Sequence, residues 1–175
     1  MNFYCIFLKR GEEEAFKKKA LKILAESAPE ARIYFFTEDA WEGRAKKGIK
    51  VVRPAFPGYL FLAIEELTDG LVLKMSKIKG FIRFLPETKN IQKMDSASVE
   101  ILSRFLFTGE HHKMSTAVYA EGDKVRITGG DIKEFEGYIT RFDLRHQKVY
   151  IRLPNQWMSM EFELSYEITI QKLED

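Results

Sequence analysis

The sequence has a single cysteine and no long apolar run. Cys5 cannot form an internal disulfide, and its apolar neighbours predict a buried, inert thiol. No apolar run reaches the roughly 20 residues that a transmembrane helix needs, which excludes a membrane-spanning helix. The N-terminal stretch lacks a basic leader and a small-residue cleavage site, so we expect no signal peptide. These absences predict a soluble, cytoplasmic protein.

Residue combinations that carry catalysis or bind metals are also missing. There are no paired carboxylates, no nucleophile with its base and no phosphate-binding glycine loop. The stretch "GGDIKEFEG" (129–137) lacks the Gly-Lys-Ser/Thr ending of a P-loop. His111 and His112 are adjacent, but no third ligand lies nearby in the sequence, which favours a solvated loop over a metal site. We therefore expect a protein that is not an enzyme and holds no cofactor or metal.

Charge is unevenly distributed along the chain, although the net charge is only +2. Residues 1–107 carry 19 Lys and Arg against 14 Asp and Glu, whereas residues 118–175 carry 8 against 11. The basic first half hints at nucleic-acid binding, because attraction to phosphate is the main sequence-independent term in such binding. A solvated basic face with no partner explains the same charge equally well. The hydrophobic content of 45% is ordinary for a globular protein with a core.

Hydrophobic periodicity in the first half predicts strands and helices. Within 12–27, apolar residues recur at helical steps and acidic residues precede lysines, as in an amphipathic helix. The polar stretch 37–48 is rich in turn-forming residues and is predicted to be a loop. Strands are predicted at 3–8, 31–36, on both sides of a Pro-Gly corner within 49–64, and at 81–86, with helices at 12–27 and 95–107 and a short helix or turn at 65–80. This order predicts an α+β fold, an antiparallel sandwich with helices on its sheet.

Residues 108–117 have no hydrophobic period and are predicted to be a flexible linker. The short strands that follow are typical of a small closed barrel. They are predicted at 123–128, 137–142, 148–153, 157–164 and 167–172. Alternation directs one set of side chains inward, namely Val125, Ile127, Val149, Ile151, Leu153, Met158, Met160, Phe162 and Leu164. Alternation fails between Ile139 and Phe142, where we expect a bulge.

Several segments resemble the NusG family of transcription elongation factors. Residues 121–151 resemble a KOW motif, with Gly122-Asp123, a strand, Gly130 and Gly137 in order. The segments "FYCIFLKRGEE" (3–13), "FPGYLFL" (56–62) and "IKGFIRFL" (78–85) are similar to the family's N-terminal domain, and "LSYEITIQK" (164–172) to the end of its KOW domain. Within the family, the opening is most similar to the specialised paralogues of LoaP and RfaH type, with the LoaP type favoured.

The resemblance implies an NGN-type α/β sandwich at 1–107, a flexible linker at 108–117 and an SH3-like KOW barrel at 118–175. It implies a monomer that binds the clamp helices of the largest subunit of RNA polymerase and suppresses pausing or termination. The barrel is expected to move freely on its tether, which makes a weak second contact effective.

By resemblance, four aromatic residues form or rim the polymerase-binding pocket: Phe7, Phe56, Tyr59 and Phe61. Aromatic side chains near the surface are what an interface hot spot needs. Strand alternation places Tyr59 and Phe61 on one face, away from Leu60. Some of these rings must belong to the core, and Phe56 is the weakest candidate.

Two basic groups are candidates for nucleic-acid binding. The first group, which by resemblance faces non-template DNA, is Lys9, Arg10, Lys19 and Lys22. For the helical lysines a solvated face is the alternative. The second group, for which the resemblance implies recognition of an RNA hairpin, is Lys124, Arg126, Arg141, Arg145, His146, Lys148 and Arg152. Arginine suits phosphate and base-edge contacts through its fork of donors. Because this half is acidic overall, its site must be a patch segregated from Glu161, Glu163 and Glu167.

Other partners remain open at this point. A general NusG protein would couple polymerase to a ribosomal protein or to the terminator Rho through exposed apolar side chains, for which Phe135, Phe142 and Trp157 are candidates. A ribosome-associated KOW protein would leave the first half of the chain unexplained. We favour nucleic acid as the partner of the KOW domain and expect no membrane partner.

Overall fold

The computed structural model describes residues 1–45, 47–120, 124–152 and 161–169. The first part of the chain contains β1 (Asn2–Leu8), α1 (Glu13–Ser27), β2 (Arg32–Tyr34), β3 (Thr37–Glu42), β4 (Ile49–Pro54), β5 (Tyr59–Ile64), α2 (Asp69–Ser76), β6 (Phe81–Phe84), β7 (Pro86–Glu87), β8 (Asn90–Ile91) and α3 (Ser96–Thr108). The second part contains β9 (His111–His112), β10 (Ser115–Ala120), β11 (Lys124–Gly129), a 3-10 helix (Asp131–Tyr138), β12 (Ile139–Asp143), β13 (Lys148–Arg152) and β14 (Glu161–Ile168).

Residue contacts divide the chain into two units. Within the described residues, the first unit comprises Met1–Phe36 and Phe56–Glu100, and the second comprises Thr37–Ala55 and the residues from Ile101 onward. The second unit therefore joins the hairpin of β3 and β4 to the C-terminal strands, whereas the sequence predicts a boundary after residue 107. The functional domains at 1–107 and 118–175 stay a prediction.

The first unit is built on a sheet of order β2-β5-β1-β6, in which β1 pairs antiparallel with both of its neighbours. Helices α1 and α2 pack on one face of it, where Phe16, Ala20 and Leu24 of α1 meet Ile6 and Leu60 of the sheet. Burying a large apolar side chain of this kind contributes roughly 1.5–3 kcal/mol. The predicted α+β sandwich with helices on its sheet is confirmed for this unit.

Residues 37–42 form strand β3, so the predicted loop over 37–48 is wrong at its start. The strand pairs antiparallel with β4 and parallel with β9. Glu38 and Ala40 are buried while their neighbours are not, which is the two-residue period of a strand. The period is hidden in the sequence because one of its two inward positions holds a carboxylate.

Residues 108–117, predicted to be a flexible linker, contain β9 and the start of β10. His112 and Ser115 are each 1% exposed, and the His112 Nδ1 lies 2.6 Å from Asp131 Oδ2. Of the two histidines predicted to lie in a solvated loop, His112 is thus buried in the second unit, whereas His111 is exposed. Ser115 packs against Gly130, where φ is +89° and a Cβ would lie 2.7 Å from the Ser115 Cα. Any residue but glycine would be strained and obstructed at that position.

The C-terminal strands form a five-stranded sheet of order β11-β10-β14-β13-β12. Its strands differ from the predicted set in two ways. Strand β10, which was not predicted, begins inside the predicted linker, and β14 runs unbroken through residues 165 and 166, where a break was expected. Leu164, Ser165 and Tyr166 are all buried at the point where β14 changes its partner from β13 to β10. A strand covered on both faces has no alternation to reveal it. The predicted strand residues 157–160 and 170–172 lie outside the described residues.

The C-terminal sheet curls so that its two edge strands share a cavity of about 310 Å³. This cavity is lined by Val125, Arg126 and Ile127 of β11, Glu136 of the 3-10 helix, and Ile139 and Phe142 of β12. The register of β12 against β13 shifts between Ile139 and Arg141, which confirms the predicted bulge. Ile127, Val149, Ile151, Phe162 and Leu164 are buried as predicted, and Val125 is partly buried. Leu153, Met158 and Met160 lie outside the described residues.

Aromatic rings anchor the last turns of α3 on the C-terminal sheet. Phe105 stacks on Phe135 with ring centroids 4.7 Å apart and meets Phe162 edge-on at 5.1 Å. Because Phe135 is 1% exposed, its predicted role as an exposed contact for a protein partner is wrong. Phe142 is 39% exposed and remains a candidate contact for a protein partner, while Trp157 lies outside the described residues.

Candidate functional site

The Phe56-Pro57-Gly58 turn is fixed to the end of β1. Gly58 has φ of +86°, and its carbonyl accepts the Leu8 N–H at 2.7 Å. A Cβ at Gly58 would lie 3.1 Å from the Leu8 carbonyl oxygen and 3.3 Å from the Phe7 ring, so glycine fits both the backbone angle and the close approach. The turn thereby sets the position of Tyr59 beside Phe7.

Glu13 holds this turn from the first turn of α1. Its carboxylate is 2% exposed and accepts the Gly58 N–H at 2.8 Å and the Gly11 N–H at 2.6 Å. Sequence reasoning treats Glu13 as one of the acids that suit the helix dipole and misses this role. A signal was present, because Glu13 continues the buried stripe of Phe16 and Ala20 at helical spacing.

Phe7 and Tyr59 form a partly exposed aromatic pair across β1 and β5. The two residues are direct partners in the register, and their ring centroids lie 5.0 Å apart. The Arg83 guanidinium lies 5.7 Å from the Phe7 ring centroid. Burial raises the pKa of the Tyr59 phenol, so its hydroxyl stays protonated at neutral pH and can donate a hydrogen bond. These residues offer a ring surface, a donor and a cation on the sheet face opposite α1.

The other two predicted polymerase contacts lie in the core. Phe56 and Phe61 are 2% and 1% exposed, and their rings meet edge-on at 5.3 Å. Both rings also lie 5.8 Å from Phe36. They present no surface to a partner, so the structure leaves Phe7 and Tyr59 as the contact candidates and gives Phe56 and Phe61 a supporting position beneath the turn.

The basic candidates of the first half are all exposed. Lys9 and Arg10 follow β1, and Lys19 and Lys22 lie on α1. A side-chain hydrogen bond from Lys79 lowers the pKa of Glu12 and outweighs the opposing effect of burial, and the charges of Lys79, Lys9 and Lys19 lower it further. The structure therefore brings Lys9 and Lys19 together around one carboxylate.

On the C-terminal sheet, Arg141 and Lys148 surround Tyr150. The Arg141 guanidinium carbon lies 3.8 Å from the Tyr150 ring centroid, and the Lys148 Nζ lies 5.5 Å from it. The cross-strand register of β12 and β13 makes Arg141 and Tyr150 neighbours. A cation over an aromatic face is a favourable contact, and here the Arg141 guanidinium covers the Tyr150 ring.

Glutamates neutralise two cations of this predicted patch. Lys148 Nζ lies 2.7 Å from Glu163 Oε2, and Arg152 lies 3.3 Å from Glu161. Partial burial disfavours the Lys148 charge, but the hydrogen bond and charge of Glu163 outweigh it and raise the pKa of the ammonium. The segregation from Glu161 and Glu163 that an RNA patch requires is therefore contradicted, because the β13–β14 register places these glutamates beside Tyr150 and Arg152.

The remaining candidates are distributed around the sheet. Arg145 and His146 lie on the turn between β12 and β13, where His146 is bound to Asp143 at 2.8 Å through Nδ1. Partial burial would raise the pKa of Asp143, but the hydrogen bonds from His146 prevail and lower it. Lys124 and Arg126 are exposed on β11, and Arg126 lines the cavity that β11 shares with β12.

A buried ion-pair network, which sequence reasoning missed, joins the β3–β4 hairpin to β14 within the second unit. Glu38 is 2% exposed and accepts the Arg53 Nε–H at 2.8 Å and the Ser165 N–H at 2.9 Å. Arg53 also lies 2.6 Å from Glu163, which in turn binds Lys148. Burial raises the pKa of Glu38 to about 7, although the Arg53 charge opposes the shift. The hairpin is thus fastened to the C-terminal sheet, where a barrel free of the first half was predicted.

The described residues offer neither a membrane span nor a metal site. No helix among them combines the length and the apolar character that crossing a membrane requires. No group of three His, Cys, Asp or Glu side chains among them lies close enough to hold a metal ion.

Comparison with known proteins identifies the family. The model of the family described as "Transcription termination factor nusG" matches residues 1–103, and the chain belongs to this NusG family. A general NusG-type function in transcription follows from this membership.

Two relatives carry the name transcription termination/antitermination protein NusG. The protein of Helicobacter pylori is 24% identical over 171 residues, which cover 95% of this chain and 96% of that one. The protein of Borreliella burgdorferi is 26% identical over 123 residues, which cover 66% of each chain. The solved structure described as "Domain interaction in Thermotoga maritima NusG" covers 94% of this chain and 93% of its own, with a TM-score of 0.53 and 17% identity. It shows a shared fold and confirms the predicted fold class.

Proposed function

We propose that this chain is a transcription elongation and antitermination factor that binds the clamp helices of the largest RNA polymerase subunit through Phe7 and Tyr59. The observation that carries the proposal is the half-buried ring pair, 5.0 Å apart, beside a turn fixed by Glu13. This pair lies within the residues that match the NusG family. Rings that are held rigid before binding lose little entropy on binding, which suits an interface hot spot.

Nucleic acid is the second proposed partner. The exposed Lys9, Arg10, Lys19 and Lys22 would contact non-template DNA, and the C-terminal sheet would contact an RNA hairpin. Support for the first group is that all four side chains are exposed in the first unit, and that the charges of Lys9 and Lys19 both act on Glu12. The finer assignment to the LoaP type, the monomeric state, the absence of catalysis and the cytoplasmic location belong to the same proposal.

A second candidate function is that of a general NusG protein, which couples polymerase to a ribosomal protein or to Rho. The observation in its favour is the cavity of about 310 Å³ between β11 and β12. Ile127, Ile139 and the 39% exposed Phe142 give this cavity the apolar character that a protein contact uses.

Replacing either ring of the pair is expected to weaken polymerase binding. Phe7→Ala and Tyr59→Ala should each cost roughly 1–3 kcal/mol of binding free energy, the range of interface hot spots. Both side chains are partly exposed, so the circular dichroism spectrum should stay that of the wild type. Biolayer interferometry with immobilised core polymerase measures the affinities.

A matched control is Tyr4→Ala. Tyr4 lies on β1 like Phe7, but packs against the core on the helix-covered face of the sheet. The control should bind polymerase as the wild type does. Normal binding by both test variants, or an equal loss in the control, would show that the pair is not the contact surface.

A further inference from the structure

A cavity of about 290 Å³ in the second unit is built from three separate segments of the chain. It is lined by Arg44, Tyr119, Leu144, Arg145 and Gln147. Arg44 follows β3, Tyr119 belongs to β10, and the other residues form the turn between β12 and β13. The Ala45 N–H donates to the Arg145 carbonyl at 3.3 Å, and the Gln147 carbonyl accepts the Tyr166 N–H at 2.9 Å. Backbone hydrogen bonds therefore hold the walls in place.

Two cations flank this cavity. Arg44 and Arg145 are both exposed, and in the part of the chain that the structure describes neither guanidinium has a carboxylate within ion-pair distance. The carboxylate of Asp143, two residues before Arg145, is hydrogen-bonded to the backbone N–H and the Nδ1 of His146. Lys148 and Arg152 differ in this respect, because glutamates of β14 neutralise them. The two arginine forks are thus available to an anion, and their geometry suits phosphate.

The cavity also offers apolar surface. Tyr119 is 53% exposed and Leu144 is 47% exposed. A volume near the lower end of small-ligand sites, roughly 300 Å³, suits a single nucleotide. An added peptide strand has no free backbone edge here, because β10 is paired on one side with β11 and on the other with β14.

We infer that this cavity binds one nucleotide of a single-stranded nucleic acid. Arg44 and Arg145 hold the flanking phosphates, and the base packs on Tyr119 and Leu144. A base stacked on an aromatic ring beside cationic groups is how single strands are bound without sequence preference. The inference rests on the proposed nucleic-acid function and moves its site from the Tyr150 face to this cavity.

The test uses the full chain and fluorescein-labelled oligouridine and oligothymidine of about twelve nucleotides, with fluorescence anisotropy over a salt series. The double variant Arg44→Ala/Arg145→Ala should lose about tenfold or more in affinity. Its salt slope should fall by about 1.4, because each phosphate contact on a single strand contributes about 0.7. Tyr119→Ala should lose about tenfold with an unchanged slope.

The control is Arg152→Ala, which removes an exposed arginine already paired with Glu161. It should bind within about twofold of the wild type, in keeping with the small energy of exposed ion pairs. Losses of affinity confined to the cavity variants support the site. The probe that binds more tightly, oligouridine or oligothymidine, then shows whether the site prefers RNA or DNA. Unchanged binding by the double variant overturns the site and leaves a nucleic-acid role elsewhere on the chain.

Failure of the broader function has a different signature. If the wild type binds neither oligonucleotide, the cavity site is overturned. Recognition of a structured RNA hairpin and the binding of polymerase through Phe7 and Tyr59 are separate contacts, and this result does not contradict them. If the wild type binds a polyglutamate probe through Arg44 and Arg145 and neither oligonucleotide, the cavity serves an acidic protein and the inference is overturned.

Discussion

Glu38→Gln is expected to remove a pH dependence worth about 3 kcal/mol from the stability of the second unit. Burial raises the pKa of Glu38 from 4.5 to about 7, so the folded state holds its proton more tightly than the unfolded state. The resulting stability is fully present below pH 4.5 and is lost as the pH rises through 7. At about 1.4 kcal/mol for each pKa unit, the loss in the wild type is about 3 kcal/mol. Glutamine cannot ionise and should show none of it.

The measurement is urea unfolding followed by tryptophan fluorescence between pH 4.5 and 8. Trp41 is a reporter within the second unit, because it lies on β3 like Glu38 and its Nε1–H donates to the Tyr166 carbonyl of β14. Every other titratable group is common to both proteins, so its contribution cancels in the difference. Glu42→Gln changes an exposed carboxylate of the same strand and should keep the wild-type pH dependence. Equal slopes for the wild type and Glu38→Gln would show that Glu38 ionises normally in the folded state.

Glu13→Ala is expected to destabilise the first unit by about 3 kcal/mol. The substitution leaves the Gly11 and Gly58 N–H groups without their acceptor, and hydrogen bonds to a charged group contribute roughly 1.5–3 kcal/mol each. Without the hydrogen bond from Gly58 to Glu13, the turn before Tyr59 is held less rigidly. The affinity of the variant for polymerase should therefore fall even at temperatures where the variant is folded. Urea unfolding followed by far-ultraviolet circular dichroism measures the stability.

Two further variants test the geometry of this carboxylate. Glu13→Gln offers one acceptor and turns an NH₂ group toward the second N–H donor, so it should not restore stability. Glu14→Ala removes the exposed neighbouring acid and should cost no more than about 1 kcal/mol, the size of a helix-dipole effect. Full stability in Glu13→Gln would contradict the need for two acceptor oxygens.

Elements with an uninterrupted apolar period are the ones that the sequence predicts. Helix α1 is found almost as predicted, because Phe16, Ala20 and Leu24 repeat at helical spacing. Strand β13 is likewise found, since Val149 and Ile151 alternate with polar residues. In both cases local spacing alone determines which face is buried.

Elements that bury a polar side chain are the ones that sequence reasoning misses. Glu13 accepts a hydrogen bond from an N–H group 45 residues away in the sequence, and Glu38 accepts one from an N–H group 127 residues away. Nothing close to either residue in the sequence therefore indicates a buried carboxylate with hydrogen-bond partners. Ser115 behaves in the same way, since its hydroxyl accepts the Ile132 N–H from within the predicted linker. Judged from its neighbours in the sequence alone, a polar residue is taken to be exposed. For this reason a loop was predicted in place of β3, and a flexible linker in place of the start of β10.

The candidate site divides along the same line. By resemblance Phe7 and Tyr59 belong to the polymerase-binding pocket, and the structure leaves both side chains partly exposed. Alternation does not reveal that Phe61 is covered, nor that Glu163 neutralises Lys148, because both depend on which segments meet in three dimensions. The register of paired strands, not the sequence of any one strand, decides which charges are available to a partner.

The buried Cys5 makes the native chain a ready background for site-specific labelling. Its thiol is 1% exposed, and burial raises its pKa, whereas alkylating dyes react with accessible thiolates. Cysteines introduced at exposed positions, such as Lys22 in the first unit and Glu42 in the second, would therefore take up dyes while Cys5 stays unmodified. Single-molecule energy transfer between such a pair reports the distance between the two units directly, with and without polymerase, in an otherwise natural chain.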